Sequence, residues 1–179
     1  DRHRLACGVL GRSGTPIASW FMNESDLIVT FGVSFSNHTG VSDYKPIVQV
    51  DSDPQALGRF HPVEPPVLGD VEATCTALLE GLHGVEVSAS ERTGEVAARW
   101  ALWREEKADR SRDDLGRGLN AAVLFAALGD AVPDDAVITV DVGNNAYSFG
   151  RYFECVDQDI LMSGYLGSIG FALPAAMGA

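Results

Sequence analysis

Lysine is nearly absent from this 179-residue sequence: only Lys45 and Lys107 stand among 13 basic residues, against 25 Asp and Glu. The resulting net charge of −12 repels phosphate backbones and anionic lipid, which argues against nucleic-acid and membrane-surface roles. The excess of arginine over lysine reads as composition bias rather than chemistry. Cysteine is scarce too. Cys7, Cys75 and Cys155 are odd in number, far apart and form no C-x-x-C pair. That excludes a disulfide framework or a zinc site and suits idle thiols in a reducing cytosol. No apolar run reaches the ~18 residues of a membrane span. The N-terminus has neither an initiating Met nor a signal-peptide h-region, and the last residues read like the middle of a helix, so both ends are expected to be cut. No Walker ending, G-x-G-x-x-G order, metalloprotease motif or nucleophile elbow occurs. His3, His38, His61 and His83 are scattered and read as surface or structural residues.

What the sequence does have is apolar content for a packed core, 46% of residues, and an alternation of strand and helix signals. Residues 27–31, 47–50 and 136–140 read as buried strands, rich in β-branched side chains and each running into Gly or Asp. Residues 5–10 and 160–162 are weaker strand candidates. Apolar runs without alternation predict a parallel sheet covered on both faces. Thr15 and Pro16 predict a helix start, as cap and first helical residue, with Ile17, Trp20 and Phe21 on one face. Asp53 and Pro54 predict a short helix in the same way. Asp70 caps a helix through Leu82 with Ala73, Ala77, Leu78 and Leu82 on one stripe. Residues 85–90 form a connector, 91–112 a charged helix carrying Trp100 and Trp103, and 113–132 a strongly apolar helix. Pro133, Asp134 and Asp135 make a turn. The composition shift places domains at 1–84 and 113–179, with 85–112 as a helical linker.

Three stretches carry chemistry. Residues 137–145, VITVDVGNN, are a strand that ends in Asp141, Gly143, Asn144 and Asn145. Ligands of open α/β sheets sit at such carboxyl ends, and the amides of a following helix suit a phosphate. The plain alternative is that Asp141 and Asn144 cap the next helix. Residues 163–179 place Gly164, Gly167 and Gly170 at three-residue spacing before a helix of small residues. Free backbone groups there suit a ligand edge, or simply tight packing. Residues 8–15, GVLGRSGT, suit a phosphate loop or an ordinary helix entry.

The order of these pieces is more specific than any one of them. GVLGRSGT at 8–15, SDLIVTFG at 25–32, VQVDSDP at 48–54 and LGD at 68–70 resemble the second half of the central domain of the acetolactate synthase and pyruvate oxidase family. Asp141 to Asn144, followed by LGSIGFALPAAMGA at 166–179, resembles the opening of that family's diphosphate-binding domain. The resemblance covers nearly the whole chain outside 85–112. It implies thiamine diphosphate with Mg²⁺, whose thiazolium ylid adds to a 2-oxoacid carbonyl and stabilises the carbanion left after loss of CO₂. It places Gly143, Asn144 and Asn145 at the diphosphate, within a cofactor-binding set that also includes Gly167, Ser168 and Ile169. Gly167 offers its carbonyl to the aminopyrimidine, and Ile169 is a bulky, stiff prop that holds the two rings in a V, a proximity effect.

The departures are informative. The family's Mg²⁺ ligands and its activating Glu match nothing in this chain, so no catalytic or metal residue is assigned and the isolated chain is expected to be inactive. Many relatives bind FAD, and the residues matching that site are Gly11, Arg12, Ser13, Gly14, Gly32, Ser34, Asp51 and Ser52. In GVSFSNH at 32–38, Ser34 and His38 replace two arginines of the synthase pattern that would neutralise the flavin nucleotide, so FAD stays open. The resemblance implies a cytoplasmic 2-oxoacid enzyme whose site forms between domains of two subunits, so the rest of the polypeptide and a homodimer or homotetramer are the expected partners. Acetolactate-synthase-like carboligation comes first, oxidative pyruvate decarboxylation second and simple decarboxylation third. A non-catalytic nucleotide-binding module is the alternative class, and a free-standing NAD dehydrogenase a weak third. The predicted fold is α/β, two incomplete Rossmann-like pieces with parallel sheets, joined by a helical linker.

Overall fold

A computed structural model describes residues 2–36, 38–42, 44–85, 92–113, 116, 118–164 and 166–179. These residues divide into two compact units. One holds the chain up to Ser19 together with Arg92–Ala179, and the other starts at Trp20 and ends before Arg92. The boundary falls inside helix α1 (Pro16–Glu24).

The unit that starts at Trp20 is built on three parallel strands, β1 (Ile28–Phe31), β2 (Ile47–Asp51) and β3 (Pro66–Leu68), in the order β1-β2-β3. Ile28 pairs with Ile47, and Gln49 with Pro66. Among the described residues, neither connection between the strands contains regular helix. Buried Gln49 shows why the helix expected at Asp53 and Pro54 gives way to turns. Its amide nitrogen donates to Val33 O and Ala56 O, and its side-chain oxygen accepts from Gly58 N at 3.0 Å. A buried amide must be satisfied, and here the turn carries its partners. Strand β3, only three residues long and opening on Pro66, was not foreseen. The expectation of uniformly buried strands holds best for β2. In β1, Val29 and Phe31 are exposed, because no described layer covers that face. Helix α2 (Val71–Gly81) follows, with Asp70 Oδ1 accepting from Ala73 N at 2.9 Å. Its expected stripe faces solvent, since no residue of α2 is buried.

The other unit contains the long helix α3 (Thr93–Ser111), then α4 (Ala121–Ala131), β4 (Val137–Val140), α5 (Asn144–Tyr152), β5 (Asp159–Met162) and α6 (Ala172–Gly178). β4 and β5 are parallel neighbours, Val137 opposite Asp159 and Val140 opposite Met162, so both carboxyl ends open on the same edge. Its core is aromatic. Phe125, Val140, Phe149 and Phe153 form one buried cluster, with Phe149 and Phe153 stacked at 4.8 Å and Phe125 edge-on to Phe149. α4 begins at Ala121, later than the expected 113. Gly116 and Gly118 adopt positive φ, and Asn120 caps the helix through Ala122 N. Residues 114, 115 and 117 of that expected helix lie outside the described residues, as do 86–91 of the connector and charged helix. The weak strand at 5–10 does not form. This stretch is a loop whose Ala6 carbonyl accepts from the Trp100 indole at 2.8 Å, so its backbone is satisfied by a side chain instead of a sheet neighbour.

Candidate cofactor site at the carboxyl edge of the two-stranded sheet

Helix N-termini leave amides without internal partners. Three described helices meet this need with their own cap: Thr15 for α1, Asp70 for α2 and Asn120 for α4. α5 has none. Gly143 precedes it at φ 128° and ψ −161°, a conformation only glycine adopts readily, and it brings no side-chain acceptor to the first turn. No acidic residue stands in that turn either. Ala146 N donates to Gly143 O at 3.1 Å, which leaves the amides of Asn144 and Asn145 to meet an external anion, the condition a diphosphate requires.

The loop after β5 is tied to this end by Asp141. Its carboxylate accepts from Val142 N at 2.7 Å and from Gly170 N at 2.9 Å. The amide of Val142, and those of Gly170, Ala172 and Phe171 at the start of α6, hold this carboxyl below the usual aspartate range, despite an opposing desolvation effect. Asp141 thus serves α6, and the reading in which it caps the next helix is corrected: that role would leave the Gly170 turn unanchored. Asn145 instead turns back, its Nδ2 donating to Asp141 O at 3.0 Å. Thr139 Oγ1 donates to Ala172 O at 2.9 Å and fixes α6 against β4.

Gly143, Asn144, Asn145, Gly167, Ser168 and Ile169 come together at this edge. Ser168 N approaches Ser163 Oγ at 3.3 Å, and Gly167, at φ 62°, lies beside Val142. Ile169 is 86% exposed, so its apolar side chain projects from the loop with nothing packed on it. The open amide end, the bare glycine loop and a projecting apolar side chain fit thiamine diphosphate. Among the described residues no three His, Cys, Asp or Glu side chains converge as a metal-binding group, and Asp141 is occupied by backbone amides.

The residues expected at a flavin fall into two sets. Gly32, Ser34, Asp51 and Ser52 sit at the carboxyl ends of β1 and β2, where Gly32 N donates to Val50 O at 2.9 Å. Gly11, Arg12, Ser13 and Gly14 belong to the other unit and pack on α5. Arg151 Nη2 donates to Arg12 O at 3.1 Å, and a Cβ on Gly150 would meet Ser13 O at 2.7 Å. Sequence reading missed this packing, since its partners lie 139 positions apart. No disulfide joins the three cysteines, and burial pushes the Cys7 thiol up. No described helix is long and apolar enough to cross a membrane.

Residues 1–78 match the family described as thiamine pyrophosphate enzyme, central domain. Over its whole length the chain is 32% identical to a Bacillus subtilis protein named as thiamine pyrophosphate-containing, covering 31% of that protein. It is 33% identical over its whole length to an acetolactate synthase of Mycobacterium bovis, covering 30% of it. It is 28% identical over 99% of its length to a sulfoacetaldehyde acetyltransferase of Rhodobacter capsulatus, covering 34% of it. The chain thus spans about a third of the length of these relatives. Residues 1–78 thus carry the central domain of a thiamine pyrophosphate enzyme, and the chain over its whole length is similar to acetolactate synthases.

Proposed function

We propose that the chain supplies the diphosphate-facing half of a thiamine diphosphate site in an enzyme that decarboxylates a 2-oxoacid such as pyruvate. Acetolactate-synthase-like joining of the two-carbon product to a second carbonyl compound is the reaction we favour, in line with relatives named acetolactate synthase. When bound, the cofactor supplies an electron sink for the carbanion left by decarboxylation. The amides of Asn144 and Asn145 hold the diphosphate, Gly143 allows the backbone to approach it, and Ser168 completes the loop. The Gly167 carbonyl accepts from the aminopyrimidine, and Ile169 supports the rings. The supporting observation is the uncapped amide end of α5 beside a loop tethered through Asp141.

The activating Glu and the Mg²⁺ ligands come from outside these residues, from the rest of the polypeptide or a partner subunit in a homodimer or homotetramer. The isolated chain then turns over no pyruvate. Cysteines not joined in a disulfide suit a reducing, cytoplasmic setting. Oxidative decarboxylation with FAD is the second reading. It is favoured by the packing of the Gly11–Gly14 loop on α5, which would set a flavin beside the diphosphate helix.

Titration of the chain with thiamine diphosphate, with and without Mg²⁺, tests the proposal. We expect amide shifts at Asn144 and Asn145 in NMR spectra and a dissociation constant of roughly millimolar order. Micromolar, Mg²⁺-dependent binding would overturn the half-site, and unmoved amides at saturating cofactor would overturn the diphosphate assignment.

A further inference from the structure

Packing does not fix the loop that carries Gly167 and Ile169. Leu166 and Ile169 are 82% and 86% exposed. A Cβ built on Gly164 or Gly170 would meet no described atom within 4 Å beyond its chain neighbours, and one on Gly167 would meet only Val142, at 3.9 Å. Gly164, Gly167 and Gly170 also give this stretch more conformational freedom than other residues would. A loop so free and so little packed needs hydrogen bonds to hold one shape. Two side chains supply them. Val140 of β4 lies opposite Met162 of β5, so Asp141 and Ser163 are the next residues along two parallel strands and leave the sheet side by side. Half-buried Ser163 accepts through Oγ from Ser168 N at 3.3 Å, and the Asp141 carboxylate accepts from Gly170 N at 2.9 and 3.1 Å. The two amides held in this way are the immediate chain neighbours of Ile169 on either side.

We propose that Ser163 and Asp141 are positioning residues for the ring system of thiamine diphosphate: they set Gly167 and Ile169 in place at the sheet edge before the cofactor arrives. A loop already formed spares the cofactor the cost of ordering it on binding. The anchors act on the ring side, through Ser168 and Gly170, whereas the diphosphate side is the start of α5. The inference rests on the cofactor reading above, and it adds two side chains that need touch no cofactor atom.

The test compares two ligands on the full 179-residue chain by NMR: thiamine diphosphate, and inorganic pyrophosphate, which has the phosphates without the rings. Ser163→Ala and Asp141→Asn should each weaken thiamine diphosphate about fivefold, the equivalent of one hydrogen bond, and leave pyrophosphate affinity unchanged. Ser163→Thr keeps the hydroxyl and should restore the native affinity. In the free chain, amide hydrogen exchange should quicken by a similar factor, at Ser168 in Ser163→Ala and at Gly170 in Asp141→Asn. Ser163 belongs to neither strand nor helix, so Ser163→Ala keeps the test valid if Asp141→Asn loosens α6. Equal weakening of both ligands would reveal a merely structural role, and it would overturn the proposal. So would unchanged thiamine diphosphate affinity, or unchanged exchange in both variants. If exchange responds as expected while thiamine diphosphate leaves Asn144 and Asn145 unmoved, the anchors of the loop stand and the cofactor reading fails.

Discussion

Gly143 carries its backbone at φ 128° and ψ −161°, where a Cβ is strained whatever the space around it. Gly143→Ala should lower stability by roughly 1–3 kcal/mol. It should also abolish the shifts that thiamine diphosphate produces at Asn144, with thermal melting and the titration as the two readouts. Gly14 is constrained by space instead, since an added Cβ would meet Val9 O at 2.3 Å. At Asp141 the pH dependence has a definite sign. Its folded pKa is depressed, so its contribution is complete above the ordinary aspartate value and is lost as pH falls through the lower folded value. The stability difference between the native chain and Asp141→Ala, measured by urea unfolding, should therefore be larger at pH 7 than at pH 3. A difference that grows on acidification would remove Asp141 as the tether of α6.

Among elements, α5 is the most constrained. Its start is open to an anion, its middle packs Phe149 into the aromatic core, and its end meets the Gly11–Gly14 loop through Gly150 and Arg151. The segment that follows it is tied to α3 by Glu154, which pairs with Arg104 at 2.8 Å and with Lys107. Burial alone would raise the Glu154 carboxyl, but the two cations more than reverse this and hold it below the usual range. Glu154→Gln should cost about 1–2 kcal/mol near neutral pH, because Lys107 is left largely covered without its partner. Chemical denaturation checks this, and an unchanged midpoint would show that the pair holds nothing together. α2 offers a local comparison: Asp70→Ala should cost about 1 kcal/mol through the lost cap alone.

At the scale of the whole molecule, charge and apolar surface pull in different directions. A net charge of −12 favours solubility and disfavours polyanion partners. Yet Leu166, Ile169, Leu173 and Met177 are 73–86% exposed near the start and along the length of α6, and β4 and β5 form a sheet of only two strands. Such a sheet is marginal alone, and an apolar patch of this kind seeks cover. The isolated chain is expected to self-associate at tens of micromolar, on the order typical of weak apolar contacts. Sedimentation should then show Leu173→Ser with Met177→Ser shifting it towards monomer. A concentration-independent monomer would show that this surface is tolerated in water.

How much of this was legible beforehand depends on how local each cause is. The caps at Thr15, Asp70 and Asn120 satisfy amides two or three residues away, so the starts of α1 and α2 could be read directly. For α4, the turn at Gly116 and Gly118 hid Asn120 inside an apolar run. The parallel strands β1, β2 and β4 were visible as short β-branched segments, β5 as a weaker candidate, and the glycines at 143, 167 and 170 as positions where backbone must bend or be approached. The sequence by itself determined these features, together with the family, because they follow from neighbouring residues and their order. Only tertiary structure decided that Asp141 anchors Gly170, that Gln49 turns the chain after β2, that residues 5–10 serve a tryptophan instead of a sheet, and that Arg12 meets Arg151. Each of those outcomes depends on which distant group arrives to satisfy a buried donor or acceptor, and no local pattern records that arrival.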